Sequence, residues 1–344
     1  MQINGELIQP GTRKTVGLPL PKLYTHTPIS MPVHIIRGKK DGPRLFICAA
    51  LHGDEINGVE IIRRILQLPS LSRLRGTLIA VPAVNLYGLI HHSRYLPDRR
   101  DLNRSFPGSE KGSLAARIAR FFINEIVTQC THGIDLHTGA IHRSNLPQIR
   151  ANLENEETRL LAKAFGTPVI LNSVERDGSL REVASGMGVP VLLYEAGEAL
   201  RFDEMSIRAG VKGVVNVLRF LGMLPKTRKK RSVTEPVEAR SSSWVRAPAS
   251  GMLRILKPLG QKMRKGDLLA LIDDLYGEEV TRVEAPFSSI IIGRTETPLI
   301  HEGEALFHLA RFEDLKEAEQ QIEGFQEKNI EGTVSELKDE PPVT

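Results

Sequence analysis

"RLFICAALHGDEINGVEI", residues 44–61, runs from a short apolar stretch straight into a histidine, two acids and two glycines. The continuous apolar run predicts a strand covered on both faces. Downstream, "GVEIIRRILQL" (58–68) spaces its apolar residues at helical intervals, and "GTLIAVPAVN" (76–85) is again a buried strand. The unit is therefore strand, helix, strand. A plain turn would join its first two parts, so His52, Asp54 and Glu55 at the strand end point to chemistry.

The alternation continues along the chain. "SLAARIARFFINEIV" (113–127) predicts a helix, "GIDLHTG" (133–139) a strand leaving the core, and "TRLLAKAFG" (158–166) a helix ended by glycine. "VPVLLYEAGE" (189–198) predicts another buried strand, and "DEMSIRAGVKGVVNVLRFLG" (203–222) a long closing helix. These make residues 1–223 an α/β catalytic domain. Residues 224–243, with two prolines and three consecutive serines, read as a linker. Residues 244–311 turn β in character and carry a faint repeat: Ala247-Pro248 and Ala285-Pro286 open its halves, and Gly266-Asp267 and Gly303-Glu304 precede apolar strands. That pattern is similar to a small all-β barrel-sandwich domain. Residues 312–344 read as a charged, weakly helical, mobile tail.

A chain of 344 residues exceeds one comfortable core, and 41% hydrophobic with 25% charged residues is ordinary for a globular protein. Only Cys48 and Cys130 occur, which argues against a disulfide framework or a thiolate metal site. The net charge of +5 is scattered apart from "KTRKKR" (226–231), read as a solvated linker rather than a nucleic-acid surface. No stretch approaches the roughly 18 to 20 apolar residues of a membrane span, and the first residues lack the apolar core of a signal peptide. The expectation is a cytoplasmic protein with a small-molecule anionic substrate, no nucleic acid and no membrane partner. A homo-oligomer is compatible with it.

His52 and Glu55 stand three apart in a turn, where an imidazole nitrogen and a carboxylate oxygen can converge on zinc at about 2.0–2.2 Å. A third ligand must come from elsewhere, and His137 ends another apolar strand with Asp135 two residues before it, placed to orient a liganding imidazole. A hydrolytic zinc site keeps a position for water and needs a carboxylate base beside it. Glu195, at the end of the most apolar strand, is the first choice, and Glu198 the second. The loop "SRYLPDRRDLNRSFPG" (93–108) gathers four arginines and an asparagine, which suits a substrate carboxylate.

In order and context, "HGDE", "DLNRSF", "DLH" and "YEAGE" resemble the succinylglutamate desuccinylase and aspartoacylase family, a branch of the zinc carboxypeptidase-like fold, over about residues 33–222. The resemblance implies a mixed sheet flanked by helices and one Zn2+ per chain on His52, Glu55 and His137. Glu195 would be the general base, Asn103 and Arg104 would grip a carboxylate of the substrate, Arg181 would be the family's further carboxylate-binding arginine, and Arg94 would polarise the carbonyl, with Arg99 or Arg100 as alternatives. Tyr276 is a candidate for the tyrosine that aspartoacylase takes from its second domain. The implied activity is zinc-dependent hydrolysis of the amide of an N-acylated amino acid or a similar small carboxylate-bearing amide. The rivals are a carboxypeptidase acting on short peptides and a non-catalytic adaptor that keeps the fold.

Overall fold

The computed structural model describes residues 1–173, 176–226 and 235–330. The chain opens with β1 (Gln2–Ile3), β2 (Glu6–Leu7), β3 (Arg13–Leu20) and β4 (Ile29–Arg37). It continues through β5 (Lys40–Ala49), α1 (Asn57–Leu66), β6 (Arg75–Val81), α2 (Leu86–Ile90), α3 (Leu114–Glu125), β7 (His132–Gly139), β8 (Arg143–Ala151) and α4 (Glu156–Phe165). β9 (Val169–Asn172), α5 (Leu180–Gly186), β10 (Val191–Glu198) and α6 (Glu204–Phe220) follow. The last part holds β11 (Val237–Arg246), β12 (Gly251–Ile255), β13 (Lys262–Met263), β14 (Leu268–Asp273), β15 (Val280–Glu284), β16 (Ser289–Thr295), β17 (Leu299–Ile300), β18 (Ala305–Phe312) and α7 (Leu315–Ile330).

Among the described residues twelve strands share one mixed sheet in the order β13-β16-β18-β11-β9-β8-β10-β7-β5-β6-β4-β3. Its centre is parallel: β5 pairs with β6 and β7, and β7 with β10. Every residue of β7 is buried, as a strand with helices on both faces must be. One face packs against α1, α4 and α6 through Ile61, Ile65, Phe165, Val214 and Val217. The other packs against α3 and α5 through Ile118, Phe122, Leu180 and Ala184. Gly58 decides how close α1 comes, since a Cβ there would lie 2.7 Å from that of Ala49 and 2.8 Å from that of Leu136. The absent side chain seats the start of α1 directly on the ends of β5 and β7.

The C-terminal strands do not stand apart from this sheet. β8 pairs with β9, β9 with β11, β11 with β18, β18 with β16, and β16 returns to β8, so five strands close a small ring. A second, antiparallel sheet of β15-β14-β12-β17 completes the region.

Two boundaries differ from the sequence reading. The stretch expected to be linker contains the first seven residues of β11, which runs parallel to β9 from Val237↔Val169 to Ala239↔Leu171, while Ser241, Ser242 and Ser243 pair with Arg311, Ala310 and Leu309 of β18. Backbone partners on two sides hold this segment, so its polar side chains do not prevent a strand. The tail expected to be mobile from 312 first finishes β18 and then forms α7, whose Ala318, Ile322 and Phe325 lie on one helical face and are buried. Residues 331–344, and 227–231 of the run "KTRKKR", lie outside the described residues. Among the described residues no helix is long and apolar enough to cross a membrane.

Candidate active site

The turn after β5 is built on backbone constraints. Ala50 takes a left-handed φ of 48°, uncommon for a residue with a Cβ, and the loop after β6 pins it: Val84 N donates to Ala49 O at 3.1 Å and Asn85 N to Ala50 O at 2.9 Å. Gly53 lies against the backbone of Gly88, where a Cβ would come within 2.0 Å of the carbonyl carbon. The glycine in "HGDE" is thus required by close approach. It leaves His52 and Glu55 facing inward, 4% and 2% exposed.

His137, at the end of β7 beside β5, meets them there. Nδ1 of His52 lies 2.7 Å from Oε1 of Glu55, and Nδ1 of His137 lies 2.7 Å from Oε2 of the same carboxylate. The three ligand atoms are all within 4.8 Å of one another. The far nitrogen of each ring meets an acid: Nε2 of His137 is 2.8 Å from Asp135 Oδ2, and Nε2 of His52 is 3.2 Å from Asp101 Oδ1. Carboxylates behind both imidazoles turn the two Nδ1 atoms toward one point, an arrangement suited to holding a metal.

Electrostatics agree with that geometry. Burial alone would push both imidazoles down, yet Glu55 with Asp101 behind His52, and Asp135 with Glu55 around His137, raise them above the ordinary histidine value. Burial likewise opposes ionisation of Glu55, and the two histidines overcome it and hold the carboxyl below the usual range. Two nitrogens and one oxygen, buried and mutually compensated, are a donor set that fits zinc.

Around this group opens a cavity of about 410 Å³. Glu195 lines it from β10, where it is in parallel register with His137. Its carboxylate is ion-paired with the guanidinium of Arg150 on the neighbouring β8. Glu198 does not line the cavity. It accepts from His142 N at 3.1 Å and pairs with Arg201, so the second choice for the base is a loop support.

Arg94 faces the trio, with Nη1 3.3 Å from Glu55 Oε1 and Nη2 2.9 Å from Asp101 Oδ2. Arg99 and Arg100 are exposed and line nothing in the cavity. Asn103, Arg104 and Arg181 are all in the lining. Asn103 Oδ1 accepts from Leu180 N at 2.9 Å, which ties the "DLNR" loop to the start of α5 and so to Arg181. Tyr276 is 85% exposed and absent from the lining, so it is not the tyrosine the resemblance suggested.

Sequence reasoning missed four residues here. Asp101 joins Arg94 to His52, and its only signal was its place inside an already suspicious loop. Arg143 and Arg150 enter through strand register, and Trp244, the chain's single tryptophan, comes from β11.

The model of the succinylglutamate desuccinylase/aspartoacylase catalytic domain matches residues 41–221, more than half of the chain. The chain belongs to this family. Its relatives include the N-alpha-acetyl-L-2,4-diaminobutyric acid deacetylase of Halomonas elongata, 26% identical over 271 residues that cover 74% of this chain and 78% of the relative. Among solved structures, the product-bound ectoine utilization protein EutE (DoeB) of Ruegeria pomeroyi superposes with a TM-score of 0.80 at 25% identity, covering 90% of this chain and 98% of the other. The succinylglutamate desuccinylase/aspartoacylase of Rhodobacter sphaeroides shares the fold, with a TM-score of 0.78 at 21% identity over 87% and 96% of the two chains. The mixed α/β architecture is therefore that of the family.

Proposed function

We propose that this protein is a zinc-dependent amidohydrolase that removes the acyl group from an N-acylated amino acid or a similar small carboxylate-bearing amide. The observation that carries the reading is the convergence of His52, Glu55 and His137 in one cavity with Glu195 and a set of arginines. The deacetylase name of the Halomonas relative and the family match support the same class of reaction. Kinship with the zinc carboxypeptidase-like folds belongs to this proposal as well.

His52, Glu55 and His137 would hold one zinc ion. When bound, it supplies a Lewis acid that makes water acidic near neutral pH and draws electrons from the amide carbonyl. Glu195 takes the proton from the attacking water and returns it to the departing nitrogen, which completes hydrolysis to an amine and a free acid. Arg94, beside the metal ligands, is placed to stabilise negative charge on the carbonyl oxygen. Asn103 and Arg104 grip a carboxylate of the substrate, Arg181 is the further carboxylate-binding arginine, and together they fix the amide for attack.

The test is hydrolysis of a mixed library of N-acyl amino acids and dipeptides by zinc-loaded protein, read by mass spectrometry. Acylamino acids should be cleaved in preference to dipeptides. Glu195→Gln should keep its zinc and lose on the order of 10²- to 10⁴-fold in turnover. A Glu195→Gln protein as active as wild type would remove this residue as the base, and absence of stoichiometric zinc in the active protein would remove the metal.

A further inference from the structure

Arg150 is the cation that contacts the expected base, and the strand that carries it is shaped to bring it there. β8 changes partners along its length. Arg143, Ser144 and Asn145 pair with Thr295, Arg294 and Gly293 of β16, whereas Gln148, Ile149, Arg150 and Ala151 pair with β9. On its other side β8 pairs with β10, and the register slips at the same place. Asn145 opposes Gly197 and Gln148 opposes Glu195, so three steps on β8 match two on β10. The extra residue falls at Leu146-Pro147, a β-bulge whose proline has no N–H to leave unpaired.

A bulge turns over the side chains beyond it. Residues an odd number apart on an unbroken strand point to opposite faces, yet Asn145 and Arg150 both line the cavity. Without the extra residue Arg150 would share the face of Ile149, which packs in the core against α1, α4 and α6. With it, Arg150 stands opposite Leu193 and diagonal to Glu195, within reach for a long side chain. Its Nε meets Oε2 of Glu195, and the two side chains are only 19% and 17% exposed. The backbone of Arg150 is held between β9 and β10, so the guanidinium is mounted on a central strand. Gln148, directly opposite Glu195, is fully buried with neither amide atom hydrogen-bonded among the described residues, so it does not compete for the carboxylate.

We propose that Arg150 is a positioning residue for the base: its guanidinium holds Oε2 of Glu195 and directs Oε1 at the attacking water and then at the departing nitrogen. This rests on the deacylase reading and adds to it a residue that acts on the substrate only through Glu195. An unheld glutamate turns about several side-chain bonds, and a base must stand within hydrogen-bond reach of the proton that it takes. Contact through one guanidinium nitrogen fixes the carboxylate and leaves its other oxygen for that proton. The bulge at Pro147 belongs to the same device, since it decides which face Arg150 occupies.

Two measurements test the clamp, each on wild type, Arg150→Gln, Glu195→Gln and the double variant. The first is steady-state kinetics of the zinc-loaded proteins with the acylamino acid that wild type cleaves best. Arg150→Gln should lower kcat about 10²-fold, the scale of a misaligned reacting group, and leave KM unchanged. Arg150→Lys should recover part of the loss, because it restores a cation beside Oε2. Against a Glu195→Gln background, Arg150→Gln should cost little more, since the residue that it serves is gone. A raised KM with kcat unchanged would make Arg150 a substrate-binding residue and overturn the proposal, as would losses that multiply in the double variant. Zinc affinity, by competition with a chelator, should be the same in all four proteins. A loss confined to the Arg150 variants would mean that it acts through the metal ligands, which also overturns the clamp.

The second is urea denaturation of the metal-free proteins. The double variant should be less destabilised than the sum of the two single changes, because each side chain holds the other. Additive shifts of the midpoint would show that they do not, and would overturn the proposal whether or not amides are hydrolysed. Coupling in a protein that hydrolyses no amide would keep the clamp on Glu195 and remove the deacylase reading.

Discussion

Replacing Asp135 by asparagine probes the proposed metal site without touching any of its three proposed ligands. The side chain is 1% exposed, and its Oδ2 stands 2.8 Å from Nε2 of His137. Asparagine can still accept that hydrogen bond through its carbonyl oxygen, so the ring orientation survives and only the charge is lost. A charge-assisted hydrogen bond contributes about 1.5–3 kcal/mol and a neutral one about 0.5–1.5 kcal/mol. The difference of roughly 1–1.5 kcal/mol corresponds to about tenfold in affinity. Asp135→Asn should therefore weaken zinc binding about tenfold, measured by competition with a chromogenic chelator at neutral pH.

Asp101→Asn provides the internal comparison. Its contact with His52 is longer, at 3.2 Å, and its charge is shared with Arg94. Its effect on zinc affinity should be the smaller of the two, about threefold or less by the same weakening of a charged hydrogen bond. The reasoning fails if a folded Asp135→Asn protein binds zinc as tightly as wild type, or if Asp101→Asn is the more damaging change.

Gly53→Ala would set a Cβ against the backbone of Gly88, which cannot yield as a side chain tip can; displacement of the loop should lower turnover on the order of 10²-fold, read against unchanged helical circular dichroism. Phe325→Ala on α7 removes a ring that is 4% exposed and should cost about 3 kcal/mol in urea denaturation; a change within error would mean that α7 does not dock. His308 has its folded value at about 3, below that of the unfolded chain near 6.5, so the unfolded state binds the proton first as pH falls. Its contribution to stability should be intact above about pH 6.5 and decline toward pH 3 with a slope of up to about 1.4 kcal/mol per pH unit, a slope that His308→Gln should lack.

The His52, Glu55 and His137 group was legible because its members stand at the end of an apolar strand or in the turn just after one, where polar residues have no reason to stand unless something holds them. Parallel pairing of β5, β7 and β10 then brings those strand ends together, as α/β sheets do. The Arg150–Glu195 pair was not legible, since it depends on the register of β8 against β10, with Leu193↔Arg150 and Glu195↔Gln148, and one slipped residue would turn Arg150 to the other face. Asp101 was hidden for a related reason: it lies 49 residues from His52 and is joined to it only by the path of a loop.

The end of the linker and the start of the tail depart from their sequence reading because composition reports side chains and not backbone partners. The serines of β11 face solvent or the ring edge, while their amides and carbonyls pair with β18. In α7 the three buried residues sit among lysines and glutamates, so the apolar stripe is narrow, and it becomes decisive only once a matching groove of β16, β18 and α6 exists. A lone stripe of that width does not stabilise a helix by itself.

The closed ring of strands has a consequence for dissection of the protein. A fragment ending near residue 221, where the family domain ends, would leave the edges of β9 and β8 without their hydrogen-bonding partners and would strip the tryptophan from the cavity wall. Such a truncated chain should expose adhesive strand edges and precipitate. The cavity wall is finished only by strands from the last third of the polypeptide, so the smallest unit that folds by itself should be larger than the matched family domain.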